Sequence, residues 1–133
     1  MSINAYELSR YRLEQADQCL KSARVLENIG DTKGAANRSY YCVFHCIRSV
    51  LALEKVDFKK HSAVIAYFRR EYIKTGLLDI RLSDIITELF QIRVESDYDD
   101  FYIISRRDVR EQIMNAEIFY DRISTFVREK ERA

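Results

Sequence analysis

The stretch GAANRSYYCVFHCIRSVLAL, residues 34–53, decides how this chain folds. It contains two arginines and one histidine, but no acid, no lysine and no proline. Its apolar residues recur at intervals of three and four, which is the period of a helix with a buried face. A helix with so little solvating charge is expected to be covered on nearly every side, by its own core alone or also by a second subunit. Because buried charge is costly, its arginines and its histidine are the first place to look for function.

The composition of the whole chain favours an all-α protein. Its 133 residues include only 3 glycines and no proline, so connections must be few and short. The length predicts a single domain over residues 1–133. We expect an up-and-down antiparallel helical bundle of four to five helices. The apolar pattern and the capping residues predict helices at residues 4–29, 31–54, 61–74, 79–95 and 105–129, with an acidic, tyrosine-rich loop at 96–104.

Charge and cysteine content limit the class of protein. The net charge is +1, so the chain lacks the excess of positive charge that is typical of a protein that binds duplex nucleic acid. Any contact with nucleic acid would therefore be local. The 3 cysteines, an odd number within helical patterns, favour reduced thiols. No apolar run approaches the roughly 18 residues of a membrane helix, and no signal-peptide pattern opens the chain. We therefore expect a cytoplasmic protein without membrane contact.

One face of the predicted central helix carries polar side chains. At about 100° per residue, His45 and Ser49 fall within about 40° of Arg38, and Tyr41 falls about 60° to the other side. Arg38 and His45 lie roughly 10 Å apart along the helix axis, so one phosphodiester can reach both. The strongest apolar stripe lies opposite and comprises Tyr40, Val43, Phe44, Ile47, Val50 and Leu51.

An arginine and a histidine on one face suit metal-independent RNA cleavage. Arginine binds phosphate and stabilises the charge that gathers on it in the transition state. Histidine takes up or gives off a proton near neutral pH. One histidine does not conveniently do both, and a symmetric dimer would supply a second. The same spacing also fits an ordinary hydrogen-bonded histidine, with Tyr40 and Tyr41 as packing residues.

Further motifs follow the segment Asn37-Arg38-Ser39-Tyr40-Tyr41-x-x-Phe44-His45 in order: LALE at 51–54, KKHS at 59–62, and Arg93-x-x-x-Asp97-Tyr98. This compound pattern resembles a HEPN domain of the small stand-alone prokaryotic kind, over nearly the whole chain. The resemblance implies a helical bundle, frequent homodimerisation and an Arg-x(4–6)-His ribonuclease motif. In this chain that motif corresponds to Arg38 and His45. Asn37 takes the polar position that commonly precedes the arginine.

The resemblance also implies a biological setting. Many such proteins are similar to toxins encoded beside a minimal nucleotidyltransferase, which acts as the antitoxin. In one subgroup a tyrosine two residues after the histidine is nucleotidylated, and Ile47 stands at that position here. We predict a metal-independent endoribonuclease of toxin–antitoxin or stress-response type, and the alternative is a non-enzymatic RNA- or nucleotide-binding partner of a nucleotidyltransferase. The predicted site comprises Arg38 and His45 as catalytic residues, and Asn37, Tyr41, Ser49 and Arg93 as substrate-binding or orienting residues.

Two other charged groups have a structural and a functional interpretation. Arg93 and Asp97 are one helical turn apart, which favours an ion pair that fastens the loop at 97–102. In the functional interpretation, Arg93 is a second phosphate contact. His61 follows two lysines and precedes two arginines, a pattern typical of a solvated face or of an RNA-guiding rim; these four cations are Lys59, Lys60, Arg69 and Arg70.

Metal and cofactor motifs are missing from the sequence. The acidic cluster at 97–100 fails as a calcium loop, because Tyr102 stands where glycine is required. No Glu-x-x-His pair supports a di-iron bundle. Cys42 and Cys46 lie one turn apart, but too few further ligands exist for structural zinc. No glycine-rich phosphate loop occurs either, so we predict no metal and no cofactor.

Overall fold

The computed structural model describes residues 4–133 and consists of helices and their connections. A π-helical turn, Arg69–Ile73, directly continues the third helix. No strand occurs within residues 4–133, so the predicted all-α helical bundle is confirmed. The helices are α1 (Ala5–Asn28), α2 (Thr32–Leu53), α3 (His61–Phe68), α4 (Ile80–Tyr98) and α5 (Arg106–Arg132).

Local signals fix where three of the helices begin. Asn4, Asp31 and Ser105 each accept a hydrogen bond from the backbone amide three residues later, at 2.8, 2.9 and 3.0 Å. Such caps satisfy amides that have no partner inside the helix. Gly30 follows α1 with φ +86°, a left-handed conformation that glycine adopts without strain. The resulting short turn folds α2 back along α1.

Helix α2 lies at the centre of the bundle. It packs against α1, α3, α4 and α5. Burial by the chain's own helices is consistent with the small number of charged residues in α2. All six residues of its predicted apolar stripe are buried: Tyr40, Val43, Phe44, Ile47, Val50 and Leu51.

The fourth helix is longer than predicted. It continues past residue 95 to Tyr98, so the predicted loop shrinks to residues 99–105. Arg93 Nε and Asp97 Oδ2 lie 3.6 Å apart on successive turns of α4. An ion pair at this spacing supports a helix, and no glycine or proline interrupts it. Asp97 thus fastens the end of a helix rather than a loop. The last helix also runs three residues beyond its predicted end at 129.

The predicted helix at residues 61–74 is regular only in its first half. In its second half, the amide of Lys74 donates to the carbonyl of Arg69 at 2.8 Å, which is a wide π-type turn. At this turn the Arg69 guanidinium donates to the Ser83 carbonyl at 3.0 Å. Arg69 therefore fastens the turn to α4.

No helix within residues 4–133 is both long enough and apolar enough to cross a membrane.

Candidate functional site

The accessible face of α2 is a narrow polar stripe. Between residues 35 and 52, every side chain is buried except five that are partly exposed. These five recur at helical spacing, so they share one face of α2. We call them the α2 stripe: Asn37, Arg38, Tyr41, His45 and Arg48. The stripe brings together four of the six residues that were predicted as the site.

Arg38 has a fixed position but no counter-ion. Its Nε and Nη2 donate to the side-chain oxygen of Asn37 at 3.2 and 2.9 Å. Its guanidinium carbon lies 5.1 Å from the ring centre of Tyr41. In residues 4–133 Arg38 pairs with no carboxylate. A cation held by neutral groups retains its attraction for an anion such as phosphate.

Arg93 reaches the same place from α4. Its Nη2 donates to the hydroxyl of Tyr41 at 3.1 Å, and its guanidinium carbon lies 4.8 Å from the ring centre of Tyr40. Its Nε is buried without a hydrogen bond, because Asp97 at 3.6 Å is too far away to accept one. The position of Arg93 therefore fits both interpretations from the sequence, the ion pair with Asp97 and a contact beside the site. It pairs within α4 and also lies beside the α2 stripe.

His45 occupies the middle of the stripe and is partly exposed. Burial lowers its pKa below the ordinary value, and the nearby charges of Arg48, Arg38 and Arg12 lower the pKa further. The physical reason is that a desolvated imidazole among cations resists protonation. At neutral pH His45 is therefore mostly uncharged, which is the form that accepts a proton.

Arg48 extends the stripe towards the C-terminal end of α2. Its Nη2 lies 2.7 Å from Asp57 Oδ2, and Arg12 Nη2 lies 3.3 Å from the same oxygen. Burial alone would raise the pKa of Asp57, but the hydrogen bond and charge of Arg48, with Arg12, lower it below the ordinary value. One carboxylate facing two guanidiniums leaves this end of the stripe positive. The sequence interpretation noted Arg48 as a charge but did not include it in the site.

His61 is a second imidazole that the sequence interpretation did not include in the site. It starts α3, and its Nδ1 lies 3.0 Å from the hydroxyl of Tyr40. Its ring stacks on Phe44, with ring centres 3.9 Å apart and an interplanar angle of 24°. The connection from α2 brings the start of α3 back against α2. No local pattern signals this, and only the shortness of the connection at 55–60 pointed towards it.

A cavity of about 380 Å³ opens beside His61. It contains two aromatic rings, two cations, one carboxylate and the imidazole. This mixture of flat apolar and cationic groups is suited to nucleotide-like ligands. The lining residues are Phe44, Arg48, Asp57, Phe58, Lys59 and His61.

The basic patch predicted around His61 is not continuous. Arg69 donates to Ser83 and Thr87 on α4, while Arg70 pairs with Glu71. Both arginines thus already bond to neighbouring side chains.

Ser49 does not join the stripe. It is fully buried, and its hydroxyl donates to the carbonyl of Cys46 at 2.6 Å. The predicted angle around the helix was small, but neighbouring helices cover this side of α2. Ser49 therefore has no access to a ligand in this structure.

The cysteines are buried, unpaired thiols. Burial raises the pKa of Cys19 and, more strongly, that of Cys46, so both stay protonated. No group of three or more potential ligands able to hold a metal ion occurs in residues 4–133. Metal-independent chemistry at the α2 stripe would rest on arginine, histidine and tyrosine.

Comparison with known proteins finds one family pattern and several relatives that cover most of this chain. The sequence pattern of the HEPN domain matches residues 9–128. A "UPF0332 protein" of Thermotoga maritima is 31% identical over 127 residues, which is 96% of either chain. "Putative toxin MJ0142" of Methanocaldococcus jannaschii is 30% identical over 115 residues, covering 86% of this chain and 78% of that protein. "Putative toxin MJ0605" of the same organism is 28% identical, covering 88% of this chain and 87% of that protein.

Proposed function

This chain belongs to the HEPN domain family, and from that premise we propose that it is a metal-independent endoribonuclease of toxin–antitoxin or stress-response type. Arg38 binds a phosphate of the RNA, and His45 exchanges the proton. Asn37 and Tyr41 orient Arg38, and Arg93 provides a second phosphate contact. The observation that carries the proposal is the α2 stripe, which places an unneutralised Arg38 and a partly exposed His45 on one accessible face.

The chemistry requires two proton transfers. A base removes the proton of a ribose 2′-hydroxyl, whose oxygen then attacks the neighbouring phosphorus. An acid protonates the 5′-oxygen that leaves. His45 is suited to the role of base, since burial and three arginines lower its pKa and keep it neutral. In this proposal Arg38 and Arg93 stabilise the additional negative charge on the phosphate in the transition state.

The proposal extends to the setting of the protein. Two relatives carry the word toxin in their names, which supports a toxin-like role and a neutralising partner. We propose a nucleotidyltransferase antitoxin as that partner and a homodimer as the active assembly. Three unpaired thiols support a cytoplasmic location. Ile47 is buried and lacks a hydroxyl, so an antitoxin that modifies a tyrosine must act elsewhere in this chain.

RNA cleavage by the purified protein in the presence of a chelator tests the proposal. The wild type is expected to cleave, whereas Arg38→Ala and His45→Ala are expected to lose activity while keeping the wild-type unfolding temperature. Arg122→Ala is the matched control, because it removes one cation on α5, away from the stripe. Intact RNA bound by the wild type would instead indicate the non-enzymatic RNA-binding alternative. Cleavage that requires a divalent metal would contradict the proposal.

A further inference from the structure

An exposed apolar segment leads from the end of α4 towards α5. Tyr98, Phe101 and Ile103 are 86%, 90% and 88% exposed. A single exposed apolar side chain is common, but several close together form a patch, and such patches mark interaction surfaces. We call residues 98–103 the apolar segment. Its three large side chains have no cover in the isolated chain.

The apolar segment is also negatively charged. It contains Asp99 and Asp100, and no lysine or arginine occurs in residues 95–103. Within residues 4–133, neither carboxylate makes an ion pair. The Asp99 carboxylate accepts a hydrogen bond from the backbone amide of Phe101 at 3.0 Å, so acid and ring are held together. The segment thus presents an aromatic ring beside unneutralised negative charge.

The cavity beside His61 has room for such a ring. Its volume of about 380 Å³ is in the range of pockets that hold small molecules. The rings of Phe44, Phe58 and His61 line it. Phe58 is 42% exposed, so its ring is only partly covered by its own chain. An aromatic side chain from elsewhere would add to this cover.

The charges around the cavity favour an anion. The lining carboxylate, Asp57, already bonds to two arginines, Arg12 and Arg48. Lys59 lines the cavity and Lys60 follows it in the chain. Within the described residues 4–133, neither lysine pairs with a carboxylate. The cavity and the apolar segment are therefore complementary in ring content and in charge.

The apolar segment and the cavity lie at opposite ends of one face of α2. Lys33 Nζ lies 3.5 and 3.4 Å from the carbonyl oxygens of Asp99 and Asp100, so the segment is at the start of α2. Lys33 precedes Asn37 by one turn and so shares the face of the α2 stripe. Arg48, on the cavity wall, lies about 22 Å further along the helix axis. The segment is thus too far from the cavity of its own chain to fill it.

A second copy of the chain satisfies this geometry. A twofold axis that crosses the α2 face halfway along, near Tyr41, sets two α2 helices antiparallel and exchanges their ends. The start of α2 in one protomer then faces the end of α2 in its partner. Each apolar segment meets the cavity of the other protomer, so the same contact is made twice.

We propose that the protein forms a symmetric dimer in which the apolar segment, residues 98–103, of each protomer occupies the cavity beside His61 of the other. Phe101 enters the cavity, and the two carboxylates of the segment pair with Lys59 and Lys60. The inference rests on the homodimer of the proposed function and gives that homodimer an interface. It assigns no step of RNA cleavage, so it is tested by oligomeric state.

Sedimentation equilibrium of the full chain measures the dissociation constant of the dimer. We expect the wild type to dimerise and Phe101→Ala to raise Kd by roughly 30-fold or more, because a buried aromatic anchor is a typical hot spot and this one counts twice. Phe101 is exposed within one protomer, so the variant should keep the wild-type helix content. Met114→Ala is the matched control. It removes another exposed apolar side chain, on α5, and should leave Kd unchanged.

An exchange of charges tests which residues face each other. Replacing Lys59 and Lys60 with glutamate, or Asp99 and Asp100 with lysine, should weaken the dimer, because like charges then meet across the interface. A chain that carries all four replacements should regain much of the wild-type affinity, since opposite charges meet again. A fourfold variant that is weaker than both double variants would overturn the proposed pairing.

The remaining outcomes separate the possible failures. A wild type that stays monomeric would overturn this inference and the proposed homodimer, and RNA cleavage would still be tested by its own assay. A wild-type dimer that Phe101→Ala leaves intact would overturn this interface alone. If the dimer is unchanged in Phe101→Ala and AMP binding to the protein is lost in Phe58→Ala, the cavity is a nucleotide site and the proposal is likewise overturned.

Discussion

The guanidiniums of Arg38 and Arg93 meet at a single ring: they lie 5.1 and 5.3 Å from the centre of Tyr41. They come from different helices. Within residues 4–133, the only ion pair that either arginine makes with a carboxylate is that of Arg93 with Asp97. Bringing two like charges together costs energy unless an anion lies between them. The arrangement is therefore suited to bind a phosphate, and Tyr41 holds both arginines ready for it.

Removal of either arginine should weaken the salt dependence of RNA binding. Each phosphate contact to a single strand contributes about 0.7 to the slope of log K against log salt. We expect this slope to decrease by about that amount in Arg38→Ala and again in Arg93→Ala. Binding titrations with a 2′-O-methyl RNA, which resists cleavage, measure the slope at several salt concentrations. An unchanged slope in both variants would show that neither arginine contacts phosphate.

The pH dependence of cleavage should report on His45. Because the pKa of His45 is lowered, kcat/KM should rise with pH as this base loses its proton, with a midpoint below its ordinary value. Arg48→Gln removes the charge that, after burial, lowers this pKa most, so the acidic limb should move towards higher pH. Arg122→Gln, with the same change in charge on α5, should leave the limb in place. A limb that does not move in Arg48→Gln would contradict the assignment of His45 as the base.

Ser49 should be dispensable for cleavage. Its hydroxyl bonds to the backbone of its own helix and is fully buried. In Ser49→Ala we expect kcat/KM to stay within about twofold of the wild type. Loss of one buried hydrogen bond is partly offset by the better helix propensity of alanine, so unfolding free energy should change by about 1 kcal/mol or less. A large loss of activity in a stably folded Ser49→Ala protein would restore Ser49 to the site.

Much of the fold could be predicted because its signals are local. Caps such as Asn4 and Asp31, and the apolar period of α2, depend on neighbours within one or two turns. The site was less predictable, because tertiary packing decides which side of α2 stays open. A helical wheel places Ser49 close to Arg38, but neighbouring helices cover the former and leave the latter accessible.

His61 shows the same limit more strongly. Its position depends on Tyr40, 21 residues earlier, and on the stacking with Phe44. Neither contact leaves a periodic pattern in the sequence. A lone histidine after two lysines is typical of a solvated surface, and only the packing of α3 against α2 brings it against Tyr40 and Phe44.

Mixing two inactive variants tests whether each site lies within one chain. In a cleft shared between subunits, Arg38→Ala and His45→Ala protomers would together form one intact site. We propose instead that Arg38 and His45 of one site act from the same protomer. Unfolding and refolding the two variants together should therefore restore no cleavage. Recovery of activity well above that of either variant alone would place Arg38 and His45 of one site on different subunits.

The chemical identity of the RNA ends shows whether His45 activates the 2′-hydroxyl without a metal. RNA of defined length is incubated with the wild type and with His45→Ala in excess chelator, and the ends of the fragments are analysed by mass spectrometry. We expect 2′,3′-cyclic phosphate and 5′-hydroxyl ends from the wild type and uncut RNA from the variant. Fragments with 5′-phosphate ends, or fragments that form equally in His45→Ala, would exclude His45 as the base that activates the 2′-hydroxyl.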